Sequence, residues 1–312
     1  MSLDRALELA ESSVGVAYPN PTIGAVVVAG GEIVGEGVTE PFGGRHGEVV
    51  ALEAAGDRAR GATLYVTMEP CAHHGRTPPC VDAVAAAGIR SVVVGCRDPN
   101  PEAAGGLDAL RARGVDAIHE DRLEARQQNE AWRTWEALGR PLVTYKVAVT
   151  LDGRVTVPGR RWVTGEASRR LVHELRAASD AVAVGMGTVR ADAPRLDARN
   201  LEATRQPRRL AFGRGPLPGG SELELRSGPI ADELAALAAE GVQSLLLEGG
   251  PTLATAFLEA SLVDKLLLFL APTLAGSGPR FLGELAEARP LLHLSTRPVG
   301  DDLLVEAYLR EP

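Results

Sequence analysis

The sequence predicts an α/β protein of two domains. Short apolar runs alternate with amphipathic stretches along the chain, which is the rhythm of βαβ units. The rhythm breaks at Gly139-Arg140-Pro141, where glycine and proline end the preceding helix. For 312 residues, and domains of about 100–200 residues each, the break divides the chain into domains over 1–140 and 141–312.

Each element has its own local reason. Residues 3–13 carry a helical spacing of apolar positions. Residues 23–29 and 32–38 are apolar runs joined by Gly30-Gly31, a hairpin signal. Helices follow over 46–55, 79–87, 102–113 and 123–138, with Gly88 and Gly114 closing two of them. Strands are expected over 62–67, 91–95 and 115–119. The second domain reads as strands over 142–150, 181–184, 209–212, 242–247 and 265–270. Its helices are expected over 166–178, 229–239 and 252–260, and the Gly/Pro-rich stretch 213–220 reads as a surface loop.

Composition removes several function classes. The chain is 45% hydrophobic and 24% charged, as ordinary globular proteins are. Its longest apolar runs fall far short of the roughly 20 residues that span a bilayer, and 1–13 lacks the apolar core of a signal peptide. The net charge of −8 and the absence of a basic stripe oppose a nucleic-acid surface. The three cysteines, Cys71, Cys80 and Cys96, are too few for a disulfide framework and point to a reducing cytoplasm. Only Lys146 and Lys265 interrupt an otherwise all-arginine set of basic side chains.

The chemistry concentrates in His46-Gly47-Glu48, Glu69-Pro70-Cys71 and Pro78-Pro79-Cys80. A catalytic zinc takes three protein ligands and keeps one open position, and His46, Cys71 and Cys80 supply that set. All three fall at or just before an expected helix start, where the helix dipole favours a thiolate. Glu48 stands two residues from His46, close enough to serve water at the ion without being a ligand. This is the logic of zinc-dependent base deaminases, in which a glutamate moves protons from water to the leaving amine. The general signature of such enzymes spaces its cysteines by two residues; here eight intervene.

The longer insert, with its surroundings, carries a resemblance. Pro19-Asn20-Pro21, Thr67-Met68-Glu69-Pro70-Cys71, Gly75-Arg76-Thr77-Pro78-Pro79-Cys80 and Asp98-Pro99-Asn100-Pro101 resemble the bifunctional riboflavin-biosynthesis deaminase/reductase family. The likeness continues through Lys146, Leu151-Asp152-Gly153, Gly185-Met186-Gly187-Thr188-Val189 and Glu248-Gly249-Gly250-Pro251, in order and over both domains. It implies a cytidine-deaminase-like N-terminal domain that removes ammonia from 2,5-diamino-6-(5-phosphoribosylamino)pyrimidin-4-one. It implies a dihydrofolate-reductase-like C-terminal domain that uses NADPH to reduce the ribosyl group to ribityl. Carried over residue by residue, His46, Cys71 and Cys80 become zinc ligands and Glu48 the proton shuttle. Asn20, His73, Arg76, Asp98 and Asn100 become substrate contacts of the deaminase. In the reductase half, Lys146, Arg176, Leu196, Arg199 and Glu248 match substrate-contacting positions, and Ala148, Trp162, Thr188, Asp192 and Gly250 match cofactor-contacting ones. On its own residues, Lys146 reads equally as a strand-end lysine reaching solvent. The implied partner is a small phosphorylated pyrimidine, with no nucleic acid and no membrane; a homo-oligomer is compatible with the sequence.

Several positions depart from the family pattern. Gly47 stands for an alanine whose side chain is expected to matter little, and Thr39 for a histidine near the pyrimidine. In the reductase half, Arg160 replaces a small polar residue, Ala193 an aspartate, Asp197 a threonine, and Gly213-Arg214 an Asp-Ser pair near the cofactor. A strand and its loop also look missing between Arg226 and Gly228. Arg214 is a candidate for the 2′-phosphate of NADPH, weighed against an exposed loop arginine. Three alternatives stay open at this level: a deaminase with a degenerate reductase half, a nucleic-acid-editing zinc deaminase, and a non-catalytic scaffold that keeps a structural zinc.

Overall fold

The computed structural model describes residues 2–75, 77–199 and 205–312. They fall into two compact units, one ending at Leu138 and one over Gly139–Glu311.

The first unit is a five-stranded sheet between helices. Its elements are α1 (Ser2–Glu11), β1 (Gly24–Ala29), β2 (Glu32–Val38), α2 (Gly47–Ala55), β3 (Thr63–Met68), α3 (Cys80–Ala86), β4 (Ser91–Cys96), α4 (Gly106–Ala112), β5 (Asp116–His119), α5 (Leu123–Gln128) and α6 (Glu130–Leu138). The strand order is β2-β1-β3-β4-β5. β1 runs antiparallel to β2 and β3, while β3, β4 and β5 are parallel. β4 is buried along its whole length, which explains its uninterrupted Val-Val-Val run. The parallel strands place the β3–α3 and β4–α4 loops at one sheet end, the usual location of α/β sites.

Two sequence expectations are corrected here. The helix expected over 102–113 starts only at Gly106. Asp98 and Asn100 each accept the backbone N–H two residues on, at 2.9 Å, so the chain turns there instead of coiling. The single helix expected over 123–138 is two, broken at Asn129. The Asn129 amide pairs with both the N–H and the C=O of Thr22, each at 2.9 Å, and this distant partner takes precedence over helical continuity.

The second unit is a larger, mostly parallel sheet. Its elements are β6 (Leu142–Thr150), α7 (Glu166–Ala178), β7 (Ala181–Gly185), α8 (Met186–Asp192), β8 (Arg208–Phe212), β9 (Glu224–Arg226), α9 (Ile230–Ala239), β10 (Ser244–Leu247), α10 (Pro251–Glu259), β11 (Lys265–Ala271), β12 (Leu292–Val299) and β13 (Asp302–Tyr308). The order is β12-β13-β11-β6-β10-β7-β8-β9. Only the β12–β13 and β13–β11 pairings are antiparallel. The buried carboxylate of Asp264 fastens the sheet's centre: it accepts both terminal nitrogens of Arg140 at 2.7 Å and the Val143 N–H at 2.8 Å.

The 213–220 loop is observed as expected. Three-residue β9, parallel to β8, ends at Arg226, and no strand lies between Arg226 and Gly228, where the chain reads as abbreviated. β12 and β13 were not foreseen. β12 is exposed over most of its length and contains Pro298, so it lacks the apolar alternation that marks a strand.

Candidate active sites

The first site is assembled at two helix starts and the end of a strand. His46 caps α2 in extended backbone, Glu48 lies in that helix's first turn, and Cys80 opens α3. Cys71 follows β3, and the Cys80 N–H donates to its sulfur at 3.3 Å. His46 Nδ1 lies 3.2 Å from Cys80 Sγ and 3.7 Å from Cys71 Sγ. A tetrahedral ion with bonds of about 2.0–2.3 Å needs ligand atoms roughly 3.3–3.8 Å apart, so the three donors suit zinc in spacing and in chemistry.

The electrostatics point the same way. A side-chain hydrogen bond with Cys80 lowers the Cys71 thiol well below the usual thiol range, even against burial. That bond and burial together push Cys80 up. One negative charge is thus shared between two sulfurs, and a divalent cation relieves the conflict by ionising both. The other ring nitrogen of His46, Nε2, meets Thr77 Oγ1 at 3.3 Å. With Nδ1 facing the sulfurs, Nε2–H donates to the hydroxyl and fixes the ring.

Glu48 is 3% exposed, and among the described residues its Oε2 has no hydrogen-bond partner. Burial raises its carboxyl to about 7, against the pull of His46. It lines a cavity of about 400 Å³ together with His46 and Cys71. Asn20, His73, Asp98 and Asn100 line the same cavity, as does Thr39. Burial also pushes Asp98 up to about 6, against the N–H bond from Asn100. Arg76 lies outside the described residues.

Two substituted positions gain explanations. The Thr39 hydroxyl accepts the Ile23 N–H at 3.0 Å, so it acts on the backbone of the cavity wall. The expectation that the residue at 47 matters little is corrected: a Cβ there would lie 2.4 Å from the Ile23 carbonyl oxygen. Glycine lets α2, the helix that His46 precedes, approach the sheet this closely.

Sequence reasoning missed several residues of this site. Glu69 is buried, and its carboxylate accepts the Asp98 N–H at 3.3 Å and the Leu107 N–H at 2.9 Å, holding the β4–α4 loop against Cys71's loop. Trp132 and Glu136 of α6 complete the cavity wall. Their i, i+4 spacing was readable, but nothing in the sequence ties that helix face to His46.

The second site is a cavity of about 1250 Å³ within the second unit. All ten positions singled out there line it: Lys146, Arg176, Leu196, Arg199 and Glu248, and Ala148, Trp162, Thr188, Asp192 and Gly250. At its centre the Glu248 carboxylate takes Arg176 Nε at 2.6 Å, Arg176 Nη2 at 3.0 Å and Lys146 Nζ at 3.3 Å. Burial alone would raise this carboxyl, but Lys146 and Arg176 outweigh it and hold it at about 2. The exposed Trp162 ring has the Arg161 guanidinium 4.8 Å from its centre and that of Arg169 at 5.5 Å. Arg214, considered from the sequence for a cofactor phosphate, is not among the lining residues; its carbonyl accepts Arg190 Nη2 at 3.0 Å. Arg160 is likewise outside the lining, which includes Arg161, Arg169, Arg170 and Arg195 instead.

Residues 2–96 match the cytidine and deoxycytidylate deaminase zinc-binding region, and residues 141–216 and 226–305 match the RibD C-terminal domain. The riboflavin biosynthesis protein RibD of Aquifex aeolicus is 37% identical over 96% of this chain and 95% of its own. The chain belongs to the RibD family. RibD of Mycobacterium tuberculosis is 39% identical over 99% of this chain and 98% of its own. Among solved structures, Acinetobacter baumannii RibD superposes with a TM-score of 0.84 at 33% identity, covering 98% of this chain and 97% of that one. A Thermotoga maritima diaminohydroxyphosphoribosylaminopyrimidine deaminase/5-amino-6-(5-phosphoribosylamino)uracil reductase gives 0.82 at 33% identity, with the same coverage. As a RibD-family chain, this protein carries both the deaminase and the reductase domain of a bifunctional riboflavin biosynthesis enzyme. The zinc-binding region and the His46–Cys71–Cys80 cluster together support zinc as its metal. Among the described residues no helix is long and apolar enough to cross a membrane.

Proposed function

We propose that domain 1–140 deaminates 2,5-diamino-6-(5-phosphoribosylamino)pyrimidin-4-one and that domain 141–312 reduces the ribosyl group of the product to ribityl with NADPH. The observation that carries the first half is the buried, unpartnered Glu48 Oε2 in one cavity with His46 and Cys71. A scaffold keeping a structural zinc would have no use for such an oxygen, and burying it unpaired costs about 1–3 kcal/mol. A nucleic-acid-editing enzyme is disfavoured by the net charge of −8 and the eight-residue cysteine spacing.

His46, Cys71 and Cys80 would hold a zinc ion. When bound, zinc supplies the Lewis acidity that makes water nucleophilic near neutral pH. Glu48 Oε2 is placed to take a proton from water in the cavity and to return it to the leaving amine. A carboxyl raised to about 7 can do both near neutrality. Asn20, His73, Arg76, Asp98 and Asn100 orient the pyrimidine and its ribose.

The second cavity fits a dinucleotide in its backbone as well as its size. Gly249 and Gly250 lead into α10, and a Cβ on Gly250 would lie 3.4 Å from Thr188 Oγ1, filling the cradle between the two turns. The free N–H groups opening α10 suit a diphosphate. Trp162, Ala148, Thr188, Asp192 and Gly250 would hold NADPH, which supplies hydride when bound. Lys146 Nζ, fixed by Glu248, holds a proton at the substrate ribose, and Leu196 and Arg199 close over the sugar phosphate. Thiolate ligands at Cys71 and Cys80 suit a reducing cytoplasm. No nucleic acid or membrane takes part in this reading, and a homo-oligomer accords with it.

Paired substitutions test the two roles. Glu48→Gln keeps stoichiometric zinc but lowers ammonia release about 10²- to 10⁴-fold, leaving reduction of separately supplied deaminated product intact. Lys146→Met does the opposite. A Glu48→Gln enzyme that deaminates at the parental rate would overturn the shuttle role.

A further inference from the structure

Helix α6 gives the first cavity two lining residues that the roles above do not use, Trp132 and Glu136. Their i, i+4 spacing puts them one turn apart on one helix face. That face is held in place from both sides. Asn129 pairs with Thr22 just before the helix, and Arg133 Nη1 donates to the Arg97 carbonyl oxygen at 2.6 Å, next to Asp98 in the chain. Trp132 is partly buried against the core of the first unit, so its ring forms a firm part of the wall.

The acceptors of this cavity differ in what already occupies them. Glu69 holds the N–H groups of Asp98 and Leu107, and Asp98 gives Oδ1 to the Asn100 N–H at 2.9 Å. The Thr39 hydroxyl is taken by the Ile23 N–H. Glu136 makes no hydrogen bond and no ion pair among the described residues. It is partly buried, and burial raises its carboxyl above the usual range, with Glu102 adding to the rise. No lysine or arginine is among the described residues of the lining. The donor that this carboxylate lacks is therefore one that a ligand can bring. Its position is also separate from that of Glu48. The charge of Glu136 bears on Asp98 and that of Glu102 on Glu136, both in the β4–α4 loop, whereas His46 and Cys71 bear on Glu48.

We infer that Glu136 determines specificity by accepting the 5-amine of a diaminopyrimidine whose ring stacks on Trp132. The inference rests on the deaminase reading and deepens it. Hydrolysis takes place at C2, the carbon between two ring nitrogens, which is open to attack by water. C5 has no ring nitrogen beside it, so its amine stays in place and can serve for recognition. C5 lies across the ring from C2. With C2 turned toward Glu48, the 5-amine is turned toward the other end of the cavity, where Glu136 stands. An indole offers a π-face to any base; a carboxylate one turn along the same helix meets the edge of the stacked ring and selects for an N–H donor there. A site built around such a hydrogen bond rejects an analogue without the donor, because its own acceptor is then left unpaired.

Two compounds test this on the full-length zinc-loaded enzyme: the proposed substrate, and its analogue with hydrogen in place of the 5-amine. Ammonia release gives kcat and KM, and calorimetric titration in a Glu48→Gln background gives binding apart from turnover. The parent should prefer the 5-amino compound about tenfold or more in kcat/KM. Glu136→Ala should lose that preference by weakening the 5-amino compound far more than the analogue. Glu136→Gln, whose amide oxygen still accepts, should keep part of it. Trp132→Ala should raise KM for both compounds about tenfold, and Trp132→Phe should recover most of that loss. Equal losses on both compounds in Glu136→Ala would mark a merely structural role and overturn the reading of the amine, as would a parent that does not discriminate. An unchanged KM in Trp132→Ala would overturn the stacking. If the parent releases ammonia from neither compound, yet Glu136→Ala abolishes the binding preference, the deaminase reading fails and the amine recognition stands. If the parent deaminates and its preference survives Glu136→Ala, the amine recognition alone fails.

Discussion

Thr77 decides which nitrogen of His46 faces the two cysteine sulfurs. Its hydroxyl engages Nε2, so Nδ1 is directed at the two sulfurs. Replacing it with valine keeps the shape and removes the acceptor. Thr77→Val should weaken zinc binding about 10- to 100-fold, read by competition with a chromogenic chelator, and Thr77→Ser should restore most of it; an unchanged zinc affinity in the valine variant contradicts the role. The metal ligands and Glu48 were legible from sequence because one imidazole, two cysteines and a glutamate in helix-starting contexts define a narrow chemistry. Thr77 was not, since hydroxyl residues are common and only the fold reveals which one meets an imidazole. Gly47 was misjudged for a related reason: its constraint comes from Ile23, 24 residues earlier, just before β1.

At the scale of elements, the Glu248 carboxylate joins three of them, with Lys146 on β6, Arg176 on α7 and itself just beyond β10. This has a pH consequence of definite sign. A carboxyl near 4.5 in the unfolded chain and near 2 in the folded one binds fewer protons when folded. It contributes stability at every pH above about 4.5, and that contribution drains away as pH falls from there toward 2. Denaturant titrations from pH 6 to pH 3 should therefore show a steeper stability loss in the parent than in Glu248→Gln, itself less stable at pH 6, the other depressed carboxylates contributing alike to both. Parallel pH profiles would contradict the assignment. Regular elements with strong apolar patterning, such as β4 and β6, were readable from sequence. Asn129 and β12 were not. In the first case a tertiary hydrogen bond to Thr22 overrides local helical preference. In the second, an exposed strand is defined by its partner β13 and not by its own alternation.

For the whole molecule, the two chemistries make separate demands on one chain. The first unit presents an acidic, metal-ready cavity, and the second a larger cavity with a basic lining. The substitutions that drew attention in the second half leave its central Lys146–Glu248–Arg176 cluster intact. Arg160 and Arg214 lie outside the cavity lining, and Ala193, at φ 41°, occupies a left-handed turn at the end of α8. This argues for a working reductase and against a degenerate one. The most direct test supplies the diaminopyrimidine ribosyl phosphate to the zinc-loaded enzyme with and without NADPH, following ammonia and NADPH separately. The account predicts ammonia release in both cases, and NADPH oxidation that requires deamination and approaches one equivalent per ammonia released. Ammonia release without any NADPH oxidation, or oxidation that proceeds in Glu48→Gln without added deaminated product, would contradict it.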